Sequence, residues 1–121
     1  VRNGAQVIIN ITNDAWSHSV AAEMQHMSIS IFRAVENKRS LVRSTNGGIT
    51  CVVDPQGRIT DILPPFQEAF LVADVPVYDE KNTLYTAYGD WFGIAMFLAG
   101  MAVILFACGI LVRSRFSGRS A

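Results

Sequence analysis

The chain has 121 residues, half of them apolar, and ten Lys and Arg against ten Asp and Glu, so its formal charge is zero. That balance hides a split: residues 1–90 carry seven cations and ten acids, a net −3, and the other three cations are arginines beyond residue 112. A weakly acidic domain offers no electrostatic footprint for nucleic acid, and two cysteines, one of them inside an apolar run, make no disulfide framework.

The chain opens on Val1 in sequence that reads as domain interior, with no signal-peptide pattern. The expectation is a C-terminal piece of something longer, or a chain whose earlier membrane helices are missing. Residues 6–12 (QVIINIT) form a near-continuous β-branched run, the pattern of a strand buried on both faces. Asn13-Asp14 breaks it with turn chemistry. Ser17 or Ser19 stands where a helix cap belongs. Val20, Met24, Met27, Ile31 and Val35 then recur at spacings of four, three, four and four, which predicts one apolar helical stripe ending near Asn37.

Strands are expected over residues 40–45, 49–53, 58–63 and 69–75. Their connections are Asn46-Gly47-Gly48, Asp54-Pro55-Gln56-Gly57 and Pro64-Pro65, which are strong turn signals. A strand and a helix followed by a meander imply an α+β or layered-sandwich fold. About 75 residues is thin for an independent core. The first strand is of central type, yet few strands are available to flank it, which again points to a missing N-terminal half.

Residues 78–90 read as a polar juxtamembrane linker. Residues 91–112 (WFGIAMFLAGMAVILFACGILV) follow without a charge, an amide or a hydroxyl. As a helix they span roughly 33 Å, enough to cross a hydrocarbon core of about 30 Å. Arg113, Arg115 and Arg119 follow the run with no acid among them. The 20 residues before it hold Lys81 and four acids, Asp74, Asp79, Glu80 and Asp90. The positive-inside rule then keeps the tail in the cytoplasm and residues 1–90 outside. Tyr85, Tyr88, Trp91 and Phe92 suit the outer interfacial belt.

Five motifs occur in order: Ile11-Thr12-Asn13-Asp14-Ala15-Trp16; Gln25-His26; Arg33-Ala34-x-Glu36; Arg43-Ser44-Thr45-Asn46-Gly47-Gly48-Ile49-Thr50; and Asp54-Pro55-x-Gly57. Together they resemble the carbon-nitrogen hydrolase (nitrilase) superfamily and, within it, the apolipoprotein N-acyltransferases. The Gly89-Asp90-Trp91 junction and the closing apolar run resemble the C-terminal end of those enzymes. The resemblance implies the C-terminal part of an αββα sandwich followed by one transmembrane helix. The expected division is a partial hydrolase domain over 1–77, a linker over 78–90, the membrane helix over 91–112 and a basic cytoplasmic tail over 113–121.

The implied chemistry is transfer of a fatty acyl chain from phospholipid to the N-terminal diacylglyceryl-cysteine of lipoproteins, in a bacterial inner membrane. A Cys nucleophile, a Glu base and a Lys would do the work through a thioester, with no cofactor and no metal. The family carries all three residues upstream of the strand before Asn13-Asp14. No position here matches them, so the resemblance implies no catalytic residue in this chain, and a missing N-terminal half as partner. Two other readings stay open: a non-catalytic membrane-anchored remnant or partner-binding module, and a membrane-tethered amidase of the same superfamily.

Asn13, Asp14 and Trp16 are the candidate substrate-binding residues. They follow the C-terminal end of a strand, where sites of α/β type collect, and the resemblance puts their loop at the active-site mouth. The other reading is a turn and helix-start device with Trp16 packed under the loop. The family commonly continues with Phe-Gly where this chain has Ser17-His18. Cys51, inside a strand pattern and without a nearby His, is expected to be a core hydrophobe. His26 is expected to hydrogen-bond a neighbouring loop, and His18 with His26 makes no metal signature. Arg33 and Glu36, three apart, can pair on one helix face. Gly47-Gly48 is expected to form a hairpin turn.

Overall fold

A computed structural model describes residues 1–78 and 81–117, the side chains of Val112 and residues 114–117 excepted. Asp79, Glu80, Arg119 and the side chain of Arg115, all weighed in the orientation reading, lie outside the described residues. The chain divides into two compact units, Val1–Ala87 and Tyr88–Ala121.

The first unit contains strand β1 (Val7–Asn13), helix α1 (Val20–Asn37) and strands β2 (Ser40–Asn46), β3 (Thr50–Val53) and β4 (Ile59–Leu63). They form one sheet in the order β1-β2-β3-β4. β1 and β2 run parallel, from Val7 opposite Ser40 to Asn13 opposite Asn46, with α1 as the crossover. The remaining pairs are antiparallel. The mixed α+β class and the strand–helix–meander order are thus those expected from the sequence. A short helix, α2 (Leu84–Tyr88), falls within the stretch read as a linker. It is tied to the rest of the first unit: Thr86 Oγ1 donates to Asn37 Oδ1 at 2.9 Å and Arg2 Nε to the Thr86 carbonyl at 2.5 Å.

The core lies between α1 and one face of the sheet. It comprises Met27, Ala34, Leu41, Ile49, Cys51 and Val53, with Ile8 and Ile31 packed against it. The buried face of α1 is Glu23, Met27, Ser30 and Ala34. This corrects the expected stripe: Val20, Met24 and Val35 are exposed, and Met27 alone of the five is buried. The small Ser30 and Ala34 allow the helix to approach the sheet closely, and a buried Glu23 carries no apolar signal. At the helix end Lys38 takes the left-handed conformation (φ 53°) and the Arg39 N–H donates to the Ala34 carbonyl at 3.1 Å, closing the last turn.

Two further expectations are corrected. β1 is not buried on both faces: it is a sheet edge, with Ile9 68% and Ile11 80% exposed, because no second layer covers that face among the described residues. No strand forms over residues 69–75. The two-residue alternation survives there, with Leu71, Ala73 and Val75 half-buried and Phe70 and Val72 exposed. What is lacking is a neighbouring strand to pair with. The segment instead lies across the sheet face opposite α1, over a cleft of about 420 Å³ lined by Val42, Ser44, Thr50 and Val52.

The second unit holds helix α3 (Trp91–Ser117). Over Trp91–Leu111 it is long and apolar enough to cross a membrane, and its described side chains are exposed throughout. A helix apolar on every face is suited to lipid rather than to a soluble core.

Candidate functional site

The C-terminal ends of the parallel strands β1 and β2 meet at one corner of the sheet. There the chain leaves β1 through residues 14–19, and β2 turns into β3 through Gly47-Gly48. The two connections are laced together by the backbone: the Asp14 N–H donates to the Asn46 carbonyl at 3.0 Å. Asn13 Oδ1 accepts from the Ala15 N–H at 3.3 Å and from Asn46 Nδ2 at 3.1 Å, an Asx turn that redirects the chain. Gly47 has φ +77°, and a Cβ there would lie 2.7 Å from Ala15 Cα, so both the turn and the close approach require glycine.

Asp14 is buried, and its carboxylate is the hub of the corner. Arg43, equally buried on β2, donates from Nη2 to Asp14 Oδ2 at 2.5 Å and from Nη1 to Asn10 Oδ1 at 2.7 Å. Thr12 Oγ1 donates to Asp14 Oδ1 at 3.1 Å, and His26 Nδ1 lies 3.3 Å from the same oxygen. Burial pushes the Asp14 carboxyl up. The bonds with His26 and Thr12 and the Arg43 guanidinium outweigh that, and the group stays below the usual carboxylate range. His26 thus makes the loop contact expected of it, and its ring sits 5.9 Å from that of Trp16. Trp16 is 68% exposed rather than packed beneath its loop.

Of the three candidates, then, Asn13 and Asp14 build the corner and Trp16 is displayed on it. Arg43, which heads the fourth motif, belongs to the same cluster, as do Asn10 and Glu23, which no motif contains. Arg43 was the detectable one. It shares strand parity with the core residue Leu41, and a cation at an inward position demands a carboxylate. Cys51 is buried in the core, where desolvation pushes its thiol up against a small opposing pull from Arg43. That is the setting of an inert cysteine. Arg33 and Glu36 pair at 2.8 Å on α1, and Arg33 also lies over the Tyr85 ring at 5.7 Å. Among the described residues, no three His, Cys, Asp or Glu side chains cluster as a metal site would need.

The sequence profile of the family described as Carbon-nitrogen hydrolase matches residues 1–83. The chain belongs to that family. Among curated proteins, it is 50% identical over 95 residues to Apolipoprotein N-acyltransferase 2 of Treponema denticola, a match covering 78% of this chain and 18% of that protein. It is 43% identical to Apolipoprotein N-acyltransferase 1 of the same organism over 120 residues, 98% of this chain and 21% of that protein. Apolipoprotein N-acyltransferase of Geobacter metallireducens is 46% identical over 104 residues, 86% of this chain and 20% of that protein. The chain therefore spans about a fifth of the length of the curated relatives it matches. In this carbon-nitrogen hydrolase chain the corner built on Asp14 and Arg43 draws on three of the five sequence motifs, those around Asn13-Asp14, Gln25-His26 and Arg43 to Thr50.

Proposed function

We propose that the chain is the C-terminal portion of a membrane-bound apolipoprotein N-acyltransferase. The enzyme would transfer a fatty acyl chain from phospholipid to the N-terminal diacylglyceryl-cysteine of a lipoprotein. The observation that carries the reading is the extent of the similarity: the match to the second Treponema protein covers 98% of this chain, so it includes the apolar helix and not the hydrolase-like unit alone. An amidase acting on soluble substrates has no use for such a helix. An enzyme whose donor and acceptor are both lipids does.

In this proposal the Cys, Glu and Lys of the reaction lie outside residues 1–121. The part of this chain is to shape the mouth of the site. Asp14, fixed by Arg43, anchors the loop; Asn13 turns it; Trp16 offers an apolar, amphipathic surface of the kind that meets acyl chains. Residues 1–90 would lie on the outer side of the inner membrane and the basic tail in the cytoplasm, since Arg113, Arg115 and Arg119 follow the span. A C-terminal alkaline phosphatase fusion should therefore be inactive, and an active fusion reverses the orientation.

The functional test is direct. Membranes containing the polypeptide that carries this chain are incubated with phospholipid and a diacylated lipopeptide. Mass spectrometry should find one added acyl chain on the N-terminal amine. Hydrolysis of amides without any acyl transfer would favour the amidase reading.

A further inference from the structure

Helix α1 begins without its usual cap. Ser19 occupies the N-cap position, yet its side chain makes no capping bond. Glu23, in the first turn, is wholly buried, and its carboxylate Oε1 accepts a hydrogen bond from Ser17 Oγ. The acid thus reaches back past the helix start to hold the loop. Its other oxygen, Oε2, is buried without a partner among the described residues. It lies against Gly48, where a Cβ would be 2.6 Å from it and 2.8 Å from Asp14 Oδ2.

Two buried carboxylates therefore converge on one glycine from the two ends of the loop. Between them the chain is tightly specified. The Ser17 N–H donates to the Asp14 carbonyl at 3.1 Å, and the Ser19 N–H to Ser17 Oγ at 3.4 Å. His18 sits at φ +46°, a conformation a non-glycine residue keeps only when its surroundings impose it. Trp16 is the residue this arrangement displays. A buried carboxylate with an unpaired oxygen weakens the fold, and its place at the base of a strained loop points to positioning rather than packing.

We infer that Glu23 is a positioning residue. Through Ser17 it straps the 14–19 loop to α1 and fixes where Trp16 stands at the mouth of the site. The inference rests on the proposed acyl transfer only for what Trp16 meets there, not for the strap itself.

The test uses the whole polypeptide that carries this chain, labelled with 5-fluorotryptophan. The Trp16 resonance is assigned by its loss in Trp16→Phe. Glu23→Ala should shift or broaden that resonance and raise KM for a diacylated lipopeptide at least five-fold, with kcat within two-fold. Glu23→Gln, whose amide oxygen still accepts the Ser17 hydroxyl, should keep the resonance and most of the affinity. Ser17→Ala, which removes the bond to Glu23 and with it the long Ser19 N–H contact to the same hydroxyl, should reproduce Glu23→Ala and covers the case in which that variant does not fold. An unmoved Trp16 resonance in Ser17→Ala and Glu23→Ala overturns the strap. A moved resonance with unchanged KM upholds the strap and overturns instead the placing of Trp16 against substrate.

Discussion

The two faces of the four-stranded sheet meet their surroundings in opposite ways. Beneath α1, Leu41, Cys51 and Val53 are almost fully buried, and Arg43 on that face has its carboxylate and amide partners in place. On the opposite face Ile9 and Ile11 stand open, and the only cover described is the unpaired segment 69–75, with Phe70 and Val72 turned outward. One face is thus closed within these residues, with Glu23 Oε2 and Arg43 Nε buried there without a partner among the described residues. The other is covered over β2 and β3, where Val52 is buried, and open along β1, whose Ile9 and Ile11 have the composition of a buried surface without the burial. An αββα sandwich, as the family resemblance implies, would lay a second sheet there.

Breaking the closed face should have the largest effects. Arg43→Ala leaves the buried Asp14 with Thr12 and His26 but without its guanidinium partner, and removal of one partner of a buried ion pair costs about 3–5 kcal/mol. Thermal or urea melts should show it, and a loss below about 1 kcal/mol would mean the pair is not the hub of the corner. Leu41→Ala should cost about 2–5 kcal/mol by the same measurement, since it opens a cavity in the centre of the core.

Acid gives the next effect. Asp14 and Asp54 are both held below the ordinary carboxylate range. For Asp54, burial pushes upward and is outweighed by the Arg58 and Gln56 N–H groups and the Arg58 guanidinium. A depressed carboxylate contributes its stability in full above its unfolded value, near 3.8 for Asp, and loses it as pH falls through the lower folded value. Stability measured from pH 6 downward should fall below about pH 4, and the fall should be shallower in Arg43→Ala, where the depression of Asp14 is weakened. A titration with the same slope in both proteins would separate Asp14 from the acid response.

The smallest effect sharpens the comparison most. Ile11→Ala in residues 1–121 alone should change stability by less than about 0.5 kcal/mol, as exposed positions do. In the longer polypeptide proposed above, the same substitution should cost about 2 kcal/mol or more, as a buried isoleucine does. Equal costs in the two contexts would mean that no second layer seats on this face.

Most of what was legible in the sequence was local. The ends of α1, the turns at Asn46-Gly47-Gly48 and Asp54–Gly57, and the four strands follow from periodicity and turn chemistry within a few residues. What was not legible depends on distant partners. Asp14 and Arg43 are far apart in sequence, and nothing near either names the other. The buried side of α1 is chosen by a carboxylate and two small residues, which hydrophobic spacing ignores. Residues 69–75 have the alternation of a strand, but a strand also needs a neighbour. β1 reads as buried on both faces because its composition is that of an interior strand, whatever covers it.

The measurement that goes most directly to the central claim is acyl transfer to a diacylated lipopeptide by residues 1–121 in phospholipid vesicles, beside the longer polypeptide that carries them. The proposal expects transfer by the longer polypeptide and none by residues 1–121, with or without Cys51→Ala. Transfer by residues 1–121 that survives Cys51→Ala would contradict it, because the reacting groups would then lie within this chain.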